Sequence, residues 1–177
     1  MSGIPVLKGR SKQQRYEALV DSYYGDVYRY GFWLCKNQPL AEDLVQETFL
    51  RAWRSLDSLQ DEKAAKAWLF TILRRENARL YERYRPELVD IDEQSIAEST
   101  EKEPDQSMDK ELLYNAISRL DSDYAEPLLL QVIGGFNGKE IAAILKLNNN
   151  TVMTRLFRAR SKLRQLFVPD EHQQEQD

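Results

Sequence analysis

Apolar positions recur along almost the whole chain at three- and four-residue spacing, and no stretch alternates in the manner of a strand. That period predicts helices over 11–36, 39–56, 64–84, 108–119, 123–133, 138–146 and 149–166. In the second, Ala41, Val45, Phe49, Ala52 and Leu56 form the stripe to be buried, with Leu44 and Thr48 alongside. In the third the stripe is Leu69, Ile72, Leu73 and Leu80; Glu76 falls on it too, which the period explains only if the helix bends. In the last, Val152, Leu156, Ala159 and Leu163 must face a core.

The pattern stops between 85 and 107. "RPELVDIDEQSIAESTEKEPDQS" has two prolines, many acids, no aromatics and no sustained apolar face. Such a composition cannot bury enough surface to offset its ordering entropy, and reads as a linker. The tail "VPDEHQQEQD" is expected to be disordered. The expected fold class is all-α: two small helical domains, 10–86 and 108–168, joined by a flexible acidic linker over 87–107, with a loose tail over 169–177.

Charge sharpens this plan. The chain of 177 residues carries a net −4, which taken whole argues against nucleic acid. Taken by segment, 8–86 holds 15 Lys/Arg against 11 Asp/Glu, 87–111 holds 2 against 10, and 112–168 holds 8 against 4. Two basic blocks flank an acidic one. One cysteine and one histidine exclude an intrachain disulfide and leave no ligand set for a protein-only zinc site. No cofactor or metal is expected. Cys35, in "FWLCKN", is read as a buried thiol rather than a redox sensor. The N-terminus lacks an apolar h-region, and the apolar runs are far shorter than the roughly 18–20 residues that cross a bilayer. A soluble, cytoplasmic protein is the expectation. Glu42 and Asp43 are adjacent and share no helix face, and no Cys/His or Ser/His arrangement appears, so an enzyme is disfavoured.

"GGFNGKEIAAILKLNNNTVMTRLFRARSKLR" is the most informative stretch. Gly134–Gly135 ends one helix, and Asn137 with Glu140 approaches a capping box for a short second one. Asn148 is the natural N-cap of a longer third, accepting from the Asn150 or Thr151 N–H. Short helix, tight turn, longer helix is the helix-turn-helix layout. Opposite its core stripe the long helix presents Asn150, Thr154, Phe157, Arg158 and Ser161, with Asn149 and Met153 on a flank. Arginine reads guanine edges and an apolar ring meets a thymine methyl, so this face suits a DNA groove. Arg155, Arg160, Lys162 and Arg164 lie at the margins, where phosphates would be. The alternative is a basic helix that merely complements its own dipole.

The N-terminal block has two faces of interest. On 39–56, Asp43, Gln46, Glu47, Leu50, Arg51 and Arg54 oppose the buried stripe, an apolar anchor ringed by charge as at protein contacts. A solvated face with a stray leucine is the other reading. On 64–84, Arg74, Arg75, Arg79, Arg83 and Arg85 interleave with Trp68, Phe70, Tyr81 and Tyr84, a composition that suits single-stranded nucleic acid as well as a plain amphipathic helix.

With these pieces in order, the sequence resembles the extracytoplasmic-function (ECF) sigma factors of bacterial RNA polymerase, from about Tyr16 to Leu166. "AEDLVQETFLRAWR" is similar to the family's core-polymerase-binding helix, "KAWLFTILRREN" to its promoter-melting helix, and "EIAAILKLNNNTVMTRLFRAR" to its helix-turn-helix for the minus-thirty-five element. The resemblance implies region 2-like and region 4-like domains, no catalytic residue, and promoter-specific initiation with core RNA polymerase. It implies that Asp43, Gln46, Glu47, Leu50, Arg51 and Arg54 meet the largest subunit's clamp helices, with the flap as a further contact. Gln60, Asp61, Lys63, Trp68, Arg74, Arg75, Asn77 and Arg79 would hold the melted minus-ten strand. Asn149, Asn150, Met153, Thr154, Arg155, Phe157, Arg158 and Arg160 would meet the double-stranded minus-thirty-five element. The linker would thread the polymerase cleft, and an anti-sigma factor would occlude these surfaces. The chain departs from the family at Arg74-Arg75-Glu76, where Arg-Asn and an apolar residue are usual, and at Met153, where a basic residue is. A helix-turn-helix regulator acting without polymerase, or a protein-only adaptor, are the rival readings.

Overall fold

A computed structural model describes residues 9–84 and 108–167. The expected linker, Arg85 and the expected loose tail lie outside the described residues. These form seven α-helices and two single 3-10 turns, and the described residues include no strand. Contacts divide the chain into two compact units, with the break near residue 99.

In the first unit, α1 runs Lys12–Cys35, α2 Gln38–Ser55 and α3 Ala65–Tyr84. Local chemistry sets their ends. Ser11 Oγ accepts from the Gln14 N–H at 3.2 Å while Gln14 Oε1 accepts from the Ser11 N–H at 3.1 Å, a reciprocal cap for α1. Lys36, in the left-handed region at φ 49°, ends α1, and Asn37 at once caps α2 by accepting from the Leu40 N–H at 3.0 Å. Pro39 lies in α2's first turn, where an N–H has no helical partner to lose.

The three helices pack on one another around Leu19, Val27, Tyr30, Leu44, Val45, Phe49, Leu69, Phe70 and Leu73, all buried. Each such leucine contributes about 1.5–3 kcal/mol by leaving water. Tyr30 stacks on Phe70 with centroids 5.2 Å apart. Between α2 and α3 the chain makes its two 3-10 turns, Leu56–Ser58 and Glu62–Ala64. Arg15 of α1 ties this connection down by donating to the Leu59 carbonyl at 3.2 Å, and Lys12 pairs with Asp57 at 2.9 Å.

In the second unit, α4 is Met108–Ser118, α5 Ser122–Val132, α6 Gly138–Leu145 and α7 Asn149–Phe167. Helices α5, α6 and α7 pack mutually, burying Leu128, Leu129, Leu130, Phe136, Ile141, Ile144, Val152, Leu156, Ala159 and Leu163. Gly135, at φ +67°, turns the chain from α5 to α6, a conformation open to glycine at no steric cost. Lys146 is left-handed too, at φ 54°, so the turn of the helix-turn-helix is made without glycine. The Leu147 N–H bonds the Ala142 carbonyl at 3.0 Å across that turn.

Candidate nucleic-acid and partner interfaces

The run Asn148–Asn150 divides into a cap and a first turn. Asn148 Oδ1 accepts from the Thr151 N–H at 2.7 Å, while Asn149 and Asn150 open α7 with exposed side chains. Asn137 caps α6 from both directions: its Oδ1 accepts from Lys139 and Glu140 at 3.0 Å, and Glu140 Oε2 accepts from the Asn137 N–H at 2.8 Å. Short α6 thus holds long α7 at a fixed attitude, with α7's stripe buried and its far side in solvent.

That far side carries Met153, Thr154, Phe157 and Arg158, all exposed. Phe157 is 66% exposed, a large cost for a ring with no covering partner. An open cleft of about 470 Å³ is lined by Asp123 and Tyr124 of α5 and by Asn150, Thr154, Arg155 and Arg158. The marginal cations are not all alike. Arg155 is half-buried and pairs with Asp123 of α5 at 3.3 Å. Arg160 donates to Gln131, and Lys162 lies over the Tyr124 ring at 5.3 Å. In each case the charged head itself meets a group of α5. Periodicity could not reveal these partners, because they come from another helix.

On α2, Asp43, Gln46, Leu50 and Arg54 are exposed, and Glu47 and Arg51 are half-buried. Leu50 is 48% exposed. Arg51 Nε contacts Glu47 Oε1 at 3.0 Å, one helical turn apart. Gln60, Asp61 and Lys63 are exposed on the connection to α3. Asp61 also has a local task, since its Oδ1 caps the second 3-10 turn by accepting from the Lys63 N–H at 2.9 Å.

On α3, Arg75 and Arg79 are exposed one turn apart, whereas Trp68, Arg74 and Asn77 are half-buried. Asn77 turns toward α1, its Oδ1 3.8 Å from the Cys35 Sγ. Tyr81 is exposed, with its hydroxyl donating to the Leu34 carbonyl at 3.3 Å; the Tyr84 side chain lies outside the described residues. Trp53 is 38% exposed, with Lys12 5.0 Å from its ring centroid and Tyr16 edge-on at 5.1 Å. Cys35 is half-buried, and burial pushes its thiol up to about 11. A thiol so raised stays protonated at neutral pH, although Cys35 is half-buried rather than fully buried as the sequence suggests.

Glu76 needs no helix bend. It is buried at 8% exposure and is met by Arg79 Nη1 at 2.7 Å and Arg51 Nε at 3.5 Å. Among the described residues no cluster of His, Cys, Asp or Glu could hold a metal, and no helix is long and apolar enough to cross a membrane.

Residues 19–87 match the family model of Sigma-70 region 2, and residues 110–163 match that of Sigma-70, region 4. The ECF RNA polymerase sigma factor EcfG of Rhodopseudomonas palustris is 39% identical over 139 residues, covering 77% of this chain and 76% of its own. The chain belongs to the ECF sigma factors. SigM of Bacillus subtilis, another ECF sigma factor, is 31% identical over 85% of this chain and 94% of its own. The sigma factor RpoE of Bartonella quintana, solved with the anti-sigma factor NepR, superposes with TM-score 0.66 at 29% identity, covering 89% of this chain and 97% of that one. CnrH, solved with the cytosolic domain of CnrY, superposes with TM-score 0.61 at 26% identity, covering 90% of each.

This sigma factor therefore serves promoter-specific initiation by RNA polymerase. A helix-turn-helix regulator acting apart from polymerase is not favoured, because the first unit matches Sigma-70 region 2 over residues 19–87.

Proposed function

We propose that the three faces divide the work of initiation among themselves. The outer face of α2, with Asp43, Gln46, Glu47, Leu50, Arg51 and Arg54, docks on the clamp helices of the largest polymerase subunit. Gln60, Asp61 and Lys63, with Trp68, Arg74, Arg75, Asn77 and Arg79 of α3, hold the unwound minus-ten strand. Residues Asn149, Asn150, Met153, Thr154, Phe157 and Arg158 of α7 enter the major groove of the minus-thirty-five element, with Arg155 and Arg160 on its backbone. The domains are 10–86 and 108–168, and the acidic 87–107 segment runs through the polymerase cleft between them. The protein is a non-catalytic polymerase subunit and works in the cytoplasm.

Each basic unit alone binds DNA weakly. Polymerase fixes their spacing, so binding of the second element becomes intramolecular and affinity multiplies. RpoE was solved with NepR and CnrH with CnrY; an anti-sigma protein covering the same faces is the regulator proposed here.

The observation that carries this reading is the solvent-facing Phe157 beside exposed Arg158 on a helix capped and held by α6. Arg158→Ala tests it. Promoter-specific initiation should fall by about tenfold or more, the worth of one bidentate base contact of about 1–3 kcal/mol, with polymerase affinity unchanged. Loss of both together would refute the face assigned to α7.

A further inference from the structure

Glu76 occupies a core position of α3, where an acid is costly unless its charge is answered. Two guanidinium groups from different helices answer it, and they meet the same oxygen. Arg79 Nη1, one turn along α3, lies 2.7 Å from Glu76 Oε1, and Arg51 Nε of α2 lies 3.5 Å from it. Arg51 Nε is also 3.0 Å from Glu47 Oε1. The row Glu47–Arg51–Glu76–Arg79 therefore crosses from the outer face of α2 to that of α3. Its anchor is buried, yet the Arg51 and Arg79 side chains remain 40% and 52% exposed. Each guanidinium has five N–H donors, so those not turned to Glu47 or Glu76 stay available to a partner.

We infer that Glu76 is a positioning residue that presents Arg51 to polymerase and Arg79 to the unwound strand from one buried carboxylate. The inference rests on the assignment of the α2 and α3 faces proposed above. Arginine loses much rotamer freedom when it is held, and a carboxylate that fixes it beforehand spares that loss at the moment of binding. Glu76 touches neither partner. It acts through the two arginines, and its removal should be felt only where they are.

Two double-mutant cycles on the full chain test this. The first measures affinity for core polymerase in wild type, Arg51→Ala, Glu76→Gln and the double variant. The second measures holoenzyme binding to a promoter fork with an exposed minus-ten strand, with Arg79→Ala in place of Arg51→Ala. Glutamine keeps the volume of Glu76 and removes its charge. Glu76→Gln should weaken each readout about five- to tenfold while its arginine is present, and less than about twofold once that arginine is alanine. Glu76→Asp, which keeps the charge, should recover part of both losses and serves if the glutamine variant does not fold.

Multiplicative losses in the doubles would overturn the inference. So would an equal loss of minus-thirty-five duplex binding with a lowered Tm, which is what a merely structural residue would give. If Arg51→Ala and Arg79→Ala are each silent, the face assignments fail and this inference fails with them; strong single effects with multiplicative doubles would defeat Glu76 alone.

Discussion

Leu50→Asp separates polymerase docking from folding, because Leu50 lies outside the core that holds α2. Its side chain is 48% exposed, so roughly half a leucine's transfer free energy is still available for a partner to gain. Full burial of leucine is worth about 1.5–3 kcal/mol, which leaves about 1 kcal/mol to be lost at the interface. An aspartate there must also be desolvated without a designed partner, at a further cost of about 2 kcal/mol. Together these weaken docking by about 100-fold or more. The free protein should hardly notice. Aspartate costs about 0.5 kcal/mol of helix propensity relative to leucine, and Arg54, four residues on, offsets part of it. Competition binding of the labelled chain to core polymerase, beside a thermal melt of the same sample, reads both quantities. Unchanged polymerase affinity would refute the docking face; lost affinity with a Tm lowered by many degrees would refute the claim that Leu50 acts at the surface.

Other substitutions probe the remaining elements. Asn148→Ala removes the 2.7 Å cap on Thr151 and should cost about 1 kcal/mol, a fall of a few degrees in the melting of the second unit, with faster amide exchange in the first turn of α7. Asn150→Ala leaves that bond in place and should weaken promoter binding without moving the melt. Gly138→Ala would bring a methyl within 2.9 Å of Met153 Sδ, the movable end of a flexible chain; it should alter preference within the minus-thirty-five element while shifting Tm little. Cys35, raised from 9.0 to about 11, should react with an alkylating reagent at pH 8 about 100-fold more slowly than a free thiol. The protonated thiol's contribution to stability is complete below about pH 9 and is lost as pH rises through about 11, so Cys35→Ser should flatten the alkaline fall in Tm.

The helices were legible because each buries one stripe, and a stripe is a property of spacing. Val152, Leu156, Ala159 and Leu163 are buried as their period requires, as are Ala41, Val45, Phe49, Ala52 and Leu56. Caps were legible where donor and acceptor lie within three residues, as at Asn137 and Asn148. What the sequence withheld depends on neighbours far along the chain. Glu76 looked misplaced because Arg51, 25 positions earlier, is invisible to any local pattern. Arg155 looked like a free marginal cation until α5 brought Asp123 against it. The turn at Lys146 was hidden for a different reason: a lysine in the left-handed region carries no sequence signal, and only the helices on either side require it.

Transcription tests the central claim most directly. The purified chain, added to core RNA polymerase lacking any other sigma factor, should yield run-off transcripts of defined length from a subset of a genomic promoter library. The chain alone should show no comparably tight or specific binding to the same DNA. Specific, high-affinity DNA binding without polymerase, together with no run-off product from any promoter, would contradict the account.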